Sequence, residues 1–181
     1  MPETRETERP VVLLGGGHAH VEVVRALGEH GHGRKIVLVS PSRHAPYSGM
    51  LPGYIAGRYR FEDFHIDLAA LCDRNDVTFL ETSATGIDPG RRSVSLANGQ
   101  VVGYDLLSVD IGSAPSLPAG ISGGIPVKPI ASFAERLAQL DALAEEHEGP
   151  FRLAIVGQGV AGVEMAFALR ERFARGRVQV T

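Results

Sequence analysis

The sequence predicts an α/β fold built around a central parallel sheet, with a β-hairpin inserted after the third strand. Three observations predict it. Residues 11–27, VVLLGGGHAHVEVVRAL, read as an apolar strand, a glycine turn and the start of a helix. Short apolar runs at 36–40 (IVLVS), 77–81 (VTFLE) and 106–112 (LLSVDIG) have the composition of buried strands separated by helical or looped segments. The opening pattern then recurs from residue 151 as FRLAIVGQGVAGVEMAFALRERF, in register under a shift of 142 positions that places Gly15 on Gly157.

Taken in order, the polar MPETRETERP at 1–10 lacks the apolar stretch of a signal peptide and reads as a disordered leader. Gly31 and Gly33 turn the first helix into IVLVS. Residues 41–60, PSRHAPYSGMLPGYIAGRYR, carry three prolines and three glycines and read as a long irregular loop, a type that is often functional. FHIDLAALCDR at 64–74 reads as a helix with Phe64, Leu68 and Leu71 on one face. Asn98-Gly99 between β-prone runs is a hairpin signal. SAPSLPAGISGGIPVKP at 113–129 reads as the exit from a domain. A helix from about Ser132 to His147 is expected next, capped by Ser132 with Glu135 three residues on and stopped by Gly149-Pro150. The expected organisation is a leader at 1–10, a first nucleotide-binding domain at 11–115, a linker and helix at 116–150, and the beginning of a second such domain at 151–181.

The two glycine turns carry the chemistry. Gly157, Gly159 and Gly162 complete the G-x-G-x-x-G spacing between a strand and a helix; Gly15 and Gly17 fill the first two slots of the earlier turn, and His20 stands in the third. The shift also matches Ala19 with Ala161 and Val21-Glu22 with Val163-Glu164. A pair of mononucleotide-binding units accounts for this; two unrelated glycine turns in a doubly wound sheet are the plainer alternative. In such a turn the first glycine permits the bend, the second lets backbone approach a pyrophosphate, and the helix N-terminus supplies N–H groups and a favourable dipole. The third glycine serves helix–strand packing, so His20 strains the packing rule more than the phosphate site. The second unit breaks off at RVQVT, and the position that would separate NAD from NADP falls one past Thr181, so a fragment of a longer protein is expected.

Composition removes other classes. A net charge of -3 with scattered Lys and Arg gives no basic stripe for nucleic acid. Cys72 is the only cysteine, which excludes an internal disulfide or a redox Cys pair within these residues. No apolar run approaches the roughly 18 residues of a membrane span. His18 and His20, like His30 and His32, lack the partners that would complete a metal site, and none is expected.

The chain resembles the FAD-dependent pyridine nucleotide-disulfide oxidoreductase superfamily, in the branch of type II NADH dehydrogenases and sulfide:quinone reductases. GGGHAHVEVVRAL, SPSRHAPYSGMLPGYIAG and YDLLSVDIGS look most like oxidoreductases associated with selenide, water dikinase. The resemblance implies a Rossmann-like FAD/NAD(P)-binding fold, cut at the start of the NAD(P)-binding domain. It places the FAD pyrophosphate on Gly15, Gly17, His18 and Ala19, and the FAD ribose at Ser40, where the family usually has an acid. Arg43 either reaches a phosphate or is a surface arginine. Ala84 offers backbone groups to the adenine, and Gly112 is the close-approach residue of a strand motif that usually ends Ala-Thr-Gly and here reads Asp110-Ile111-Gly112. Asp110 is then an acid near the cofactor or a turn residue. Met50, Leu51 and Pro52 occupy the loop that runs along the flavin where disulfide reductases carry their cysteines; His44 and Tyr47 are its only proton-exchanging groups. Glu164 resembles the glutamate after the NAD fingerprint in type II NADH dehydrogenases, or is an acid placed by the helix dipole, as Glu22 would be.

These readings imply an FAD-dependent enzyme that takes hydride from NAD(P)H and passes electrons to a quinone or to a sulfur or selenium acceptor. The alternative is a non-catalytic flavin-binding sensor or regulatory module for a selenium-handling kinase domain. A cytoplasmic location, peripheral contact with the inner membrane face, a selenide, water dikinase partner and a homodimer are all compatible with it.

Overall fold

Val11–Leu14 forms β1, and α1 (His18–His30) follows the glycine turn. The chain continues through β2 (Ile36–Ser40), β3 (His44–Pro46), α2 (Leu51–Ile55), β4 (His65–Asp67) and α3 (Leu68–Arg74). Then come β5 (Thr78–Glu81), β6 (Ala84–Asp88), β7 (Ser93–Leu96), β8 (Val101–Gly103) and β9 (Leu106–Val109). The last elements are α4 (Ile130–Glu146), β10 (Phe151–Leu153), α5 (Val160–Arg172) and β11 (Val178–Val180). This is a computed structural model, and it describes residues 9–31, 33–113, 123–157, 159–174 and 178–181.

Two compact units emerge. The first comprises the chain up to Ala45 together with Ile66–Gly112; the second comprises Pro46–His65 and Ser113–Thr181.

The first unit holds a parallel sheet in the order β5-β2-β1-β9. Alternation along the strands explains its two cores. Leu13, Ile36 and Leu38 pack with Val24 of α1 and with Leu68 and Cys72 of α3 on one face, whereas Val12, Leu14 and Val39 pack with Val94, Leu96 and Tyr104 on the other. Both faces are covered at β1 and β2, which is why these two strands read as continuous apolar runs. The expected hairpin is present: Gly99, at φ +85°, sits in the turn between β7 and β8. It belongs to a larger element than anticipated, a three-stranded antiparallel sheet β6-β7-β8.

The second unit packs α2, α4 and α5 around Leu51, Ile55, Phe64, Phe133, Leu137 and Leu169. Arg172 of α5 makes a two-pronged pair with Asp141 of α4 and donates to the Ile55 carbonyl of α2 at 2.9 Å, joining all three helices. Its small parallel sheet pairs β10 with β11.

Three expectations need correction. The stretch 41–60 is largely structured; Pro52 lies in the first turn of α2, where its missing N–H costs nothing. The helix expected over 64–74 begins only at Leu68, because the Asp67 carboxylate caps it by accepting from the Ala70 N–H at 3.0 Å. Phe64 consequently belongs to the core of the second unit and Leu68 to that of the first. The later helix starts at Ile130 behind Pro129, and the Ser132 hydroxyl donates back to the Pro129 carbonyl at 3.0 Å in place of capping. Most of the segment at 113–129, namely 114–122, and all but two residues of the leader lie outside the described residues.

Candidate functional site

The first glycine turn ends β1 and opens α1 within the first unit. Gly15 has φ +101°, a conformation that favours glycine, and its N–H donates to the Val39 carbonyl at 2.7 Å. Gly17 is the N-cap of α1 with extended backbone (φ -68°, ψ 169°) and has no side chain with which to satisfy the helix N–H groups. That task falls to Asp110, at the end of β9. Its Oδ2 accepts from the Ala19 N–H at 3.1 Å and from the His20 N–H at 3.4 Å. Its backbone N–H extends the ladder to the Leu14 carbonyl at 2.8 Å. A carboxylate 90 residues along the chain thus does what an Asp or Ser at the N-cap normally does.

Asp110 also explains the glycine requirement. A Cβ on Gly15 would stand 2.1 Å from the Asp110 carbonyl oxygen, and one on Gly17 would stand 2.1 Å from its Oδ2. The space beside the second glycine, expected to serve a pyrophosphate, is lined by a carboxylate.

His20 fills the third slot and is 2 % exposed. Its Nδ1 lies 2.7 Å from the Gly15 carbonyl oxygen, which can only accept, so Nδ1 carries a proton. Its Nε2 lies 2.9 Å from the Ser108 Oγ, a hydroxyl that pairs with either protonation form of that nitrogen. The second turn solves the same problem differently. There a Cβ on Gly162 would come within 2.2 Å of the Gly157 carbonyl oxygen, so the helix approaches the first glycine of its motif through the bare Cα. In the first turn an imidazole hydrogen-bonds the corresponding carbonyl. His20 therefore replaces a close contact with a polar clamp.

The second turn otherwise repeats the first. Gly157 has φ +133°, and Gly159 caps α5 with φ -72° and ψ 170°. The first helical bonds correspond as well, Val21 N–H to Gly17 and Val163 N–H to Gly159. Glu22 and Glu164 stand at the same place, one turn inside each helix, and neither helix has an acid in its first turn. The dipole explanation weakens accordingly, since that effect fades within the first turn. Glu22 is paired with Arg25 at 2.6 Å, which holds its carboxyl below the usual carboxylate range. Glu164 is exposed and has Phe167 where Glu22 has Arg25.

Other candidate residues take varied positions. Ser40 ends β2, is 5 % exposed, and its hydroxyl faces Gly16, where a Cβ would be 3.1 Å away. Arg43 is engaged by Asp67 through Nε at 3.0 Å and Nη2 at 2.7 Å. That pair, the largest effect, together with the Ala70 N–H, holds the Asp67 carboxyl down at about 2. Ala84 opens β6 opposite Leu96, and Gly112 has φ +71° just past β9. His18 is the first residue of α1. Within the second unit, Pro52 lies in α2 and Tyr47 is exposed. The structure thus brings Gly15, Gly17, Ala19, His20 and Asp110 together.

Ser108 was not singled out beforehand, and His20 had no assigned task. The available signal was period two: Ser108 and Asp110 alternate in an otherwise apolar strand and share one face. Among the described residues no group of three or more His, Cys, Asp or Glu is placed to hold a metal ion, and no helix is long and apolar enough to cross a membrane.

The pyridine nucleotide-disulphide oxidoreductase family model matches residues 9–181. A ferredoxin–NAD(P)(+) reductase of Sphingomonas sp. is 30% identical over 167 residues, covering 89% of this chain and 39% of the relative. A sulfide-quinone reductase of Aquifex aeolicus is 29% identical over 113 residues, covering 62% of this chain and 26% of the relative. Among solved structures, the sulfide:quinone oxidoreductase of Aquifex aeolicus is similar with a TM-score of 0.72 at 25% identity, over 94% of this chain and 42% of that one. A covalent putidaredoxin reductase–putidaredoxin complex gives 0.74 at 24% identity, over 95% of this chain and 42% of that one. The fold is the Rossmann-like one of FAD/NAD(P)-binding oxidoreductases. The chain spans less than half the length of these relatives.

Proposed function

Because the chain belongs to the pyridine nucleotide-disulphide oxidoreductase family, matched from residue 9 to 181, we propose that it is the flavin- and nucleotide-binding part of an FAD-dependent NAD(P)H oxidoreductase. The observation that carries the reading is the doubled turn: two glycine bends of the same backbone geometry, each between a parallel strand and a helix, one in each unit. The first turn fits a dinucleotide in its backbone, with the positive φ of Gly15, the bare Cα of Gly17 and a helix N-terminus aimed at the bend. The Asp110 carboxylate, at the helix N-terminus, is at odds with an anion.

When bound, FAD supplies a two-electron acceptor for hydride and a donor to the next acceptor. The chain's own part is to bind and orient. Gly15, Gly17, His18 and Ala19 present the backbone to the FAD phosphates, Ser40, Arg43, Ala84 and Gly112 line the same unit, and Pro52 holds the flavin loop. Gly157, Gly159 and Gly162 form the corresponding turn for NAD(P)H, and Glu164 offers a carboxylate able to hold a proton beside it. With Cys72 buried and no second cysteine, these residues supply no thiol relay.

For the acceptor we favour a quinone or a sulfur or selenium species. The similarity to a sulfide-quinone reductase supports the first two, while the segments around GGGHAHVEVVRAL and YDLLSVDIGS support the third and a selenide, water dikinase partner. Relatives named as reductases of ferredoxin and putidaredoxin add a small protein of that kind as an acceptor, a class the residues alone did not suggest.

The test is anaerobic mixing of the intact, FAD-loaded protein with NADH or NADPH. Bleaching of the flavin absorbance, followed by reoxidation with a quinone, polysulfide or ferredoxin, is expected. A protein that holds FAD but is bleached by neither nucleotide would refute the enzyme and leave the flavin-binding sensor.

A further inference from the structure

We infer that Asp110 lowers the affinity of the first turn for a dinucleotide pyrophosphate by occupying, with its own carboxylate, part of the helix N-terminus that would receive it, the Ala19 N–H above all; this rests on the flavin-binding reading above. The Ala19 and His20 N–H groups are two of the donors at the start of α1 that have no intrahelical partner, and both point at Asp110 Oδ2, at 3.1 and 3.4 Å. The same oxygen sits 2.1 Å from where a Gly17 Cβ would be, in the space through which a phosphate reaches the backbone. Two strand residues of one face, Ser108 and Asp110, therefore converge on the turn: Ser108 on the His20 ring, Asp110 on the helix end.

A carboxylate and a pyrophosphate are both anions and compete for the same donors. Binding a phosphate there requires the Asp110 side chain to rotate away, losing its charge-assisted bonds, or to stay and repel the incoming charge. Either course weakens binding. Asp110 in turn stabilises the unliganded turn, because Gly17 cannot cap α1. The wild-type protein should hold FAD as an exchangeable ligand, with affinity traded for an ordered empty turn.

The experiment is titration of FAD into the deflavinated intact protein, followed by flavin fluorescence, for wild type, Asp110→Asn and Asp110→Ala. Asp76→Asn, at a left-handed position (φ 54°) after α3, controls for net charge. Both Asp110 variants should bind FAD tighter by about tenfold or more, the size expected of hydrogen bonds to a charged group. Asp76→Asn should match wild type. Without flavin, Asp110→Ala should melt below wild type, so that one substitution destabilises the empty protein and tightens the complex. Equal or weaker FAD binding by Asp110→Asn, or an equal gain in Asp76→Asn, overturns the inference while leaving the flavin reading intact. Should Asp110→Ala fail to fold, Asp110→Asn, which keeps shape and an acceptor, decides. Absence of FAD uptake by wild type and Asp110→Asn alike would overturn both readings.

Discussion

Replacing His20 with alanine removes the clamp beneath the first turn while leaving the Cβ that keeps α1 from closing onto the Gly15 carbonyl, as Gly162 closes onto Gly157. The Gly15 oxygen, 2.7 Å from Nδ1 in a site only 2 % exposed, loses its side-chain donor, and the Ser108 hydroxyl loses its ring partner at 2.9 Å. An unsatisfied buried polar group costs about 1–3 kcal/mol, and emptying the volume of a buried ring adds a cavity. A loss of about 2–5 kcal/mol is expected. Urea unfolding followed by circular dichroism reads it as a lower midpoint at unchanged slope. His20→Asn, whose amide N–H stands near the place of Nδ1–H, should recover part of the loss. FAD binding by the folded variant should stay within about threefold of wild type, because the phosphates are served by backbone. A loss below about 1 kcal/mol would refute the clamp, since it would show that neither hydrogen bond is needed. Loss of flavin from a fully folded variant would show instead that the imidazole belongs to the phosphate site.

Two further outcomes follow from the same unit. The Asp67 carboxyl is held down at about 2 by Arg43, against about 3.9 in an unfolded chain, so its contribution is present above pH 4 and lost as pH falls toward 2; Asp67→Asn should lose less stability than wild type between pH 5 and 2.5, and parallel acid limbs in denaturant titrations would contradict this. Gly99→Ala meets no neighbour within 4 Å but must adopt φ +85°, and should cost about 1–2 kcal/mol by thermal unfolding; an unchanged melting temperature would mean the turn relaxes.

Much of the first unit was legible locally. VVLL and IVLV are apolar over their whole length because both faces of the sheet are covered there, and the Asn98-Gly99 pair marks its turn through backbone preference alone. Helix limits were less legible. The start of α3 depends on which acid caps it, and the helical periodicity of FHIDLAALCDR runs unbroken across Asp67. Residues 41–60 looked irregular because of their prolines and glycines, yet Leu51 and Ile55 are buried by α4 and α5, elements more than 60 residues away in the chain.

The sequence by itself determined the two glycine turns, their register across 142 positions and the family to which that pattern belongs, since these depend on residues within one strand–turn–helix. Only the tertiary structure decided what touches the turns. β9 pairs with β1 so that Leu14 lies beside Val109, and this register delivers Ser108 to the His20 ring and Asp110 to the helix end. Neither contact has a local signature, because each joins groups about 90 residues apart that only strand pairing aligns.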